Sequence, residues 1–157
     1  MSEVAANVNV EKVEASVISE KYLTFYIEDT IYGIAIENVI EIIGVEKTTV
    51  VPGIPHYIKG VINLRGRIVP IIDARLKIGK FEKEYDERTC IIVINWKDTM
   101  VGLIVDSVAD VSDFNNDQLS KLPDFADVNS NGYLSSVCKI GDKLVLIFDC
   151  DKLLSDD

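Results

Sequence analysis

Histidine and tryptophan are almost missing from this chain, and its cysteines are few and unpaired in sequence. One histidine, one tryptophan and three cysteines occur in 157 residues. Cys90, Cys138 and Cys150 are odd in number and form no CxxC, so a disulfide framework is not expected; free, reduced thiols in a cytoplasmic protein are the simplest reading. One histidine, His56, cannot make a His-rich metal site, and no cysteine lies near it in sequence. No apolar run reaches the length of a membrane span. Residues 1–22 lack the basic, apolar and small-residue order of a signal peptide. Basic residues are also scarce: sixteen Lys and Arg face twenty-six Asp and Glu, a formal net charge of −10. Such a surface repels nucleic-acid phosphates and anionic lipid, so neither nucleic acid nor direct membrane insertion is expected. There is no GxGxxG and no GxxxxGK[ST], and no cofactor is expected.

What is present is apolar and strand-like. The hydrophobic fraction is 48%, too rich for a disordered chain. The length suits one compact unit or two small, intimately packed subdomains. Residues 1–20 are acidic and small and read as a mobile tail, with a short helix formed on docking as the alternative; folded structure is expected from Lys21. Residues 22–27 and 32–36 read as strands rich in aromatic and β-branched side chains, separated by a turn at Asp29-Thr30. Residues 37–40 suit one helical turn, and 41–43 return to strand. Val51 to Pro55 is a loop. Residues 61–64 and 68–72 form a hairpin around Arg65-Gly66-Arg67, with Pro70 implying an edge or a bulge. A charged loop spans 80–88. Strands are expected at 89–95 and 100–105, and a short helix within 113–131. A last hairpin, 132–140 with 143–148, precedes a closing helical turn capped by Asp149 or Asp151.

One pattern recurs. Asp29, Thr30, Gly33, Ile34, Ile36, Val39 and Ile42 reappear 69 residues later as Asp98, Thr99, Gly102, Leu103, Val105, Val108 and Val111. Glu41 meets Asp110 in the same register. Self-similarity at a fixed spacing points to a repeated structural unit, here two related β-barrels.

Catalytic chemistry is hard to find. His56 is a conceivable general base, but no motif accompanies it and a loop histidine beside proline is the plainer reading. Cys90 sits in an apolar strand, where cysteine is usually a small buried hydrophobe. Cys138 alternates with Val137, and Cys150 lies between two aspartates, which raise a thiol pKa. Asp124, Asp127 and Asn129 to Gly132 resemble part of a calcium loop, but the ligand spacing fails. Glu82 and Glu84 need be no more than surface charge. Asp73 follows an apolar run as a phosphoacceptor would, yet alternating βα units are missing; a helix N-cap ahead of Ala74-Arg75-Leu76 fits better. By elimination, binding is favoured over catalysis.

Three segments carry a specific resemblance. Gly60 to Asp73 resembles the GVxNLRGxxxPxxD signature of the CheW family. Tyr32 to Ile42 resembles its YGIxIxxVxEI segment, and Val101 to Val108 its VGxxVDxV segment. They occur in family order, and the likeness covers residues 21–155. It implies a mostly β fold: a single domain made of two intertwined, five-stranded SH3-like barrels with short helices. It also implies a non-catalytic adaptor that binds the regulatory domain of the histidine kinase CheA and the cytoplasmic hairpin tip of chemoreceptors. At this length no attached kinase or receiver domain is expected, so the stand-alone form fits. Other CheW-like domains are further candidate partners within receptor arrays at the membrane. Matched by motif, Val39, Glu41, Gly60, Arg65, Val105 and Val108 are the candidate partner contacts. For the valines and Gly60 the alternative is core or turn structure, and for Arg65 an ion pair with Glu41. Ile43 stands where some relatives carry a charged residue. An adaptor of another sensory or motility pathway, and a small hydrolase, are the competing functions.

Overall fold

A computed structural model describes residues 19–120 and 132–155. Most of the expected tail, the Asp124–Asn131 stretch and most of the segment expected to hold a short helix lie outside those residues. Eleven strands are described: β1 (Ser19–Ile27), β2 (Thr30–Ala35), β3 (Val39–Gly44), β4 (Ile58–Leu64), β5 (Arg67–Asp73), β6 (Cys90–Trp96), β7 (Thr99–Val105), β8 (Ser107–Asn115), β9 (Leu119–Ser120), β10 (Leu134–Ile140) and β11 (Lys143–Phe148). Two short helices, α1 (Ala74–Lys77) and α2 (Cys150–Leu154), follow β5 and β11. Each is capped by the last aspartate before it: the Asp73 carboxylate accepts from Arg75 N and the Asp149 carboxylate from Lys152 N. These bonds satisfy amide donors that a helix start leaves without partners.

The strands form a six-stranded sheet, ordered β8-β1-β2-β11-β10-β9, and a five-stranded sheet, ordered β3-β6-β7-β5-β4. Chain order and sheet order disagree at two places. The chain leaves β2 through a 3-10 turn at Ile36–Asn38 and enters β3, which pairs with β6 in the other sheet. It leaves β7 at Asp106 and enters β8, which pairs back onto β1. The two halves therefore exchange a strand reciprocally.

The 69-residue repeat corresponds to real structural equivalence. Gly33 in β2 lies opposite Ile147 of β11, and Gly102 in β7 opposite Ile71 of β5, and both pairings are parallel. A Cβ on Gly33 would sit 2.9 Å from Ile147 Cδ1, and one on Gly102 2.6 Å from Ile71 Cδ1. Each glycine thus admits an isoleucine from the neighbouring strand. The β4–β5 and β10–β11 hairpins are a second repeat, 76 residues apart, which runs from Tyr57 and Tyr133 to Asp73 and Asp149. Asp73 N donates to Tyr57 O and Asp149 N to Tyr133 O, both at 2.8 Å. Bulges recur as well. The ladder skips Ile40 in β3 and Ala109 in β8, and Lys59 in β4 and Ser135 in β10. A bulge bends its strand and sharpens the twist, so its recurrence marks the same bend in each half.

Burial follows the period-two alternation of strands. In β6, Ile91 and Val93 face a cluster inside the five-stranded sheet, with Ile62, Leu64, Val69, Ile71 and Ile104. Ile92 and Ile94 face the central core between the sheets, with Leu23, Phe25, Ile34, Leu103, Val105 and Phe148. Tyr22, Phe114, Cys138, Val145 and Ile147 fill the six-stranded sheet. The strand Cys90–Trp96 is nearly all apolar because both of its faces are covered.

The observed elements refine several expectations. The six-stranded sheet gains its extra strand because the chain after β8 turns back onto β10, at Leu119–Cys138 and Ser120–Val137. In the other half the equivalent return is one bridge, Thr49 to Val61. The helical turn expected at 37–40 is the 3-10 turn Ile36–Asn38, and β3 begins at Val39. The polar stretch from Asp113 starts inside β8, where Asp113, Phe114 and Asn115 lie opposite Lys21, Glu20 and Ser19 of β1 and Phe114 is buried. Pro70 lies where β5 pairs with β4 alone; pairing with β7 starts at Ile71. Pro70 therefore sits on a local edge, where a missing amide donor is tolerated.

Candidate functional site

The five-stranded sheet has β3 and β4 at its two outer edges. Two features join them. The chain beyond β3 reaches β4, where Thr49 N donates to Val61 O at 2.8 Å and Val61 N to Thr49 O at 2.9 Å. Gly60 makes this approach possible. A Cβ there would lie 2.3 Å from Thr49 O, and the backbone φ is +142°, a region close to forbidden for L side chains.

The second feature is an ion pair. The two-residue turn between β4 and β5 puts Arg65 at φ 53° and Gly66 at φ 86°, the geometry of the hairpin turns that match strand twist. The Asn63 side-chain oxygen accepts from Gly66 N at 2.8 Å and fastens the turn. A non-glycine residue in this left-handed region is disfavoured by about 1–2 kcal/mol. The strained position aims the Arg65 fork at β3. Its Nη2 donates to Glu41 Oε1 at 2.8 Å, and Nη1 donates to Oε2. The guanidinium hydrogen bonds hold the Glu41 carboxyl below its ordinary value and raise that of Arg65. The Arg65 side chain remains 69% exposed and Glu41 24%, so most of the guanidinium faces solvent. The repeat mates of this pair are Asp110 and Gly141, which cannot form it. This closure exists in one half only.

The other candidates divide. Val39 and Val108 are repeat mates that open the two exchanged strands; both are half-buried against the central core. Val105 is 1% exposed and belongs to that core, so it offers no surface of its own. Gly60 is buried and acts on backbone geometry. The exposed apolar residues Ile40 and Ile42 on β3 and Val111 on β8 were not singled out as contacts. The bulge at Ile40 could not be read from the sequence, although Ile42 and Val111 already stood in the repeat. Ile43 points inward and packs against the cluster of the five-stranded sheet, which explains an apolar residue there.

The groups weighed for catalysis are occupied or dispersed. Asp73 is 1% exposed and accepts from Tyr85 Oη at 2.7 Å in addition to capping α1. Burial pushes the Cys150 thiol up to about 11, only partly offset by the Asn38 amide. Burial also raises Cys90 and Cys138. His56 is exposed, edge-on to Tyr57. Glu82 pairs with Lys59. Among the described residues, no cluster of His, Cys, Asp and Glu could hold a metal ion, and no helix is long and apolar enough to cross a membrane.

Comparison with known proteins gives consistent matches. The family model for the CheW-like domain matches residues 21–157. The chain is 38% identical to the chemotaxis protein CheW of Klebsiella aerogenes, over 94% of this chain and 89% of that one. It is 33% identical to CheW of Bacillus subtilis, over 88% of each. The crystal structure of the scaffolding protein TtCheW from Thermoanaerobacter tengcongensis superposes with a TM-score of 0.82 at 26% identity, covering 89% of this chain and 95% of that one. With the signature segments, the exchanged strands and the family match in agreement, this chain belongs to the CheW family of chemotaxis proteins.

Proposed function

We propose that the chain is a non-catalytic adaptor that couples chemoreceptors to the histidine kinase CheA. It acts in the cytoplasm and is recruited to membrane-associated receptor arrays by its partners. The observation that carries this reading is the Arg65 hairpin turn. A strained backbone presents a mostly solvent-facing guanidinium paired with Glu41, on a strand that also exposes the apolar residues Ile40 and Ile42. Accessible arginine and exposed apolar side chains are both enriched in protein-binding interfaces. A receptor hairpin supplies an amphipathic helix, which docks through an apolar stripe with polar contacts at its flank. Val39, Ile42, Val108 and Val111 on the exchanged strands suit the stripe, and Glu41 with Arg65 the flank. The regulatory domain of CheA then meets a different face, so that both partners are held at once.

Calorimetric titration of the protein with a receptor-tip fragment and, separately, with the isolated CheA regulatory domain tests this. Binding of both, with the receptor fragment lost on Arg65→Ala, supports the reading. Binding of neither contradicts it.

A further inference from the structure

The two strand exchanges are repeat mates in sequence but are held very differently. At the second, Asp106 sits between β7 and β8. Its own N–H donates to Tyr26 O at 3.0 Å. Its carboxylate accepts from Glu28 N at 2.7 Å, from Arg75 Nε at 3.0 Å and from Arg75 Nη2 at 2.9 Å. Arg75, on α1, also donates to Phe81 O and to Glu28, and Lys80 pairs with Glu28. Both side chains of the Arg75–Asp106 pair are largely buried, 11% and 16% exposed. Burial pushes the Asp106 carboxyl up, but the donors around it outweigh that and leave it below its ordinary value.

At the first exchange the repeat mate of Asp106 is Glu37, and that of Arg75 is Asp151. Two acids cannot pair. Asp151 accepts from Trp96 Nε1 at 2.7 Å instead, and Glu37 is exposed. Among the described residues, the only side-chain hydrogen bond made by Ile36–Asn38 is Asn38 Nδ2 to Cys150 Sγ at 3.3 Å, with sulfur a weak acceptor. One crossing is clamped by a forked, charge-assisted pair; the other has apolar packing of Ile36 and Val39 and the backbone bond of its 3-10 turn, with one soft side-chain hydrogen bond.

We propose that Arg75 and Asp106 are positioning residues for the partner groove. They fix the start of β8, and with it Val108, as the rigid wall. The start of β3, which carries Val39 and Glu41, is the wall that adjusts when a helix docks. The groove itself rests on the function proposed above; the difference in rigidity does not.

Amide hydrogen exchange on the free protein tests the rigidity directly. Exchange in Ser107–Val111 should be about ten-fold slower than in Asn38–Ile42. Asp106→Asn, and the milder Arg75→Lys, should speed exchange in Ser107–Val111 while leaving the β6–β7 hairpin unchanged. Both variants should bind the receptor-tip fragment about ten-fold more weakly and the CheA regulatory domain as tightly as before. A general loss of stability would instead weaken both partners and speed exchange throughout. Equal exchange at the two crossings in the parent protein, or a folded variant that keeps its ratio of receptor to kinase affinity, overturns the proposal. Failure of the parent to bind a receptor tip while the exchange difference holds refutes the groove and leaves the rigid crossing standing.

Discussion

Arg65 and Glu41 link the two outermost strands of the five-stranded sheet, side chain to side chain, from a turn residue held at φ 53°. Two small effects oppose each other at this position. An exposed, solvent-screened pair adds little to stability, and the left-handed backbone works against it. Arg65→Gly removes both, so chemical denaturation should place its midpoint close to that of the parent. Arg65→Ala keeps the strain and loses the pair, and should be the less stable of the two. Both should fail to bind a receptor tip. Full binding by a folded Arg65→Gly protein would remove Arg65 from the contact.

Gly60 is the position least tolerant of a side chain. In Gly60→Ala the new Cβ meets backbone, Thr49 O at 2.3 Å, at a φ of +142°. Backbone cannot swing aside as a side-chain tip can, so the loss should exceed about 2 kcal/mol. The unfolding midpoint in urea measures it. A loss under half that size would mean that the Thr49–Val61 bridge is not what closes the sheet.

The paired glycines of the repeat should respond unequally. In Gly33→Ala the one contact under 3 Å is Ile147 Cδ1; in Gly102→Ala there are two, Ile71 Cδ1 and Ile91 Cγ2. Each should destabilise by about 1–3 kcal/mol through overpacking. Adding Ile147→Val to Gly33→Ala should recover most of that loss. Adding Ile71→Val to Gly102→Ala should recover only part, since Ile91 still clashes. A double-mutant cycle on thermal unfolding reads the difference.

The cysteines should be poor nucleophiles. With the Cys150 thiol pushed up to about 11, only about one molecule in a thousand carries its thiolate at pH 8, against about a quarter for a free cysteine. Alkylation of the folded protein at pH 8 should therefore be far slower than after unfolding in urea. Rapid stoichiometric labelling of one native cysteine would reopen the hydrolase reading.

The 69-residue repeat was legible because glycine, turn and apolar spacing are local properties of a strand pair. The partner isoleucines, Ile71 and Ile147, were not linked to it. They come from the second repeat, which begins elsewhere in the chain, and sequence spacing carries no record of which strands lie parallel. The crossing at Asp106 was hidden for the same reason: the sequence shows strands but not which sheet each joins. Asp73 and Asp149 as caps were visible because capping acts within three residues. At the site, the Glu41–Arg65 pair stood as the alternative to a partner contact for Arg65, and the structure forms it. Val105 was placed among the contacts by motif alone, whereas period-two burial directs it into the core. Bulging exposes Ile40, and bulges leave no clear mark on one sequence.

The most direct test of the adaptor function is CheA autophosphorylation in receptor-containing membranes, with and without this protein. The account predicts that adding it raises receptor-controlled kinase activity and brings the kinase down with the membranes, and that Arg65→Ala does neither. An unchanged rate, with the kinase left in the supernatant, would contradict it.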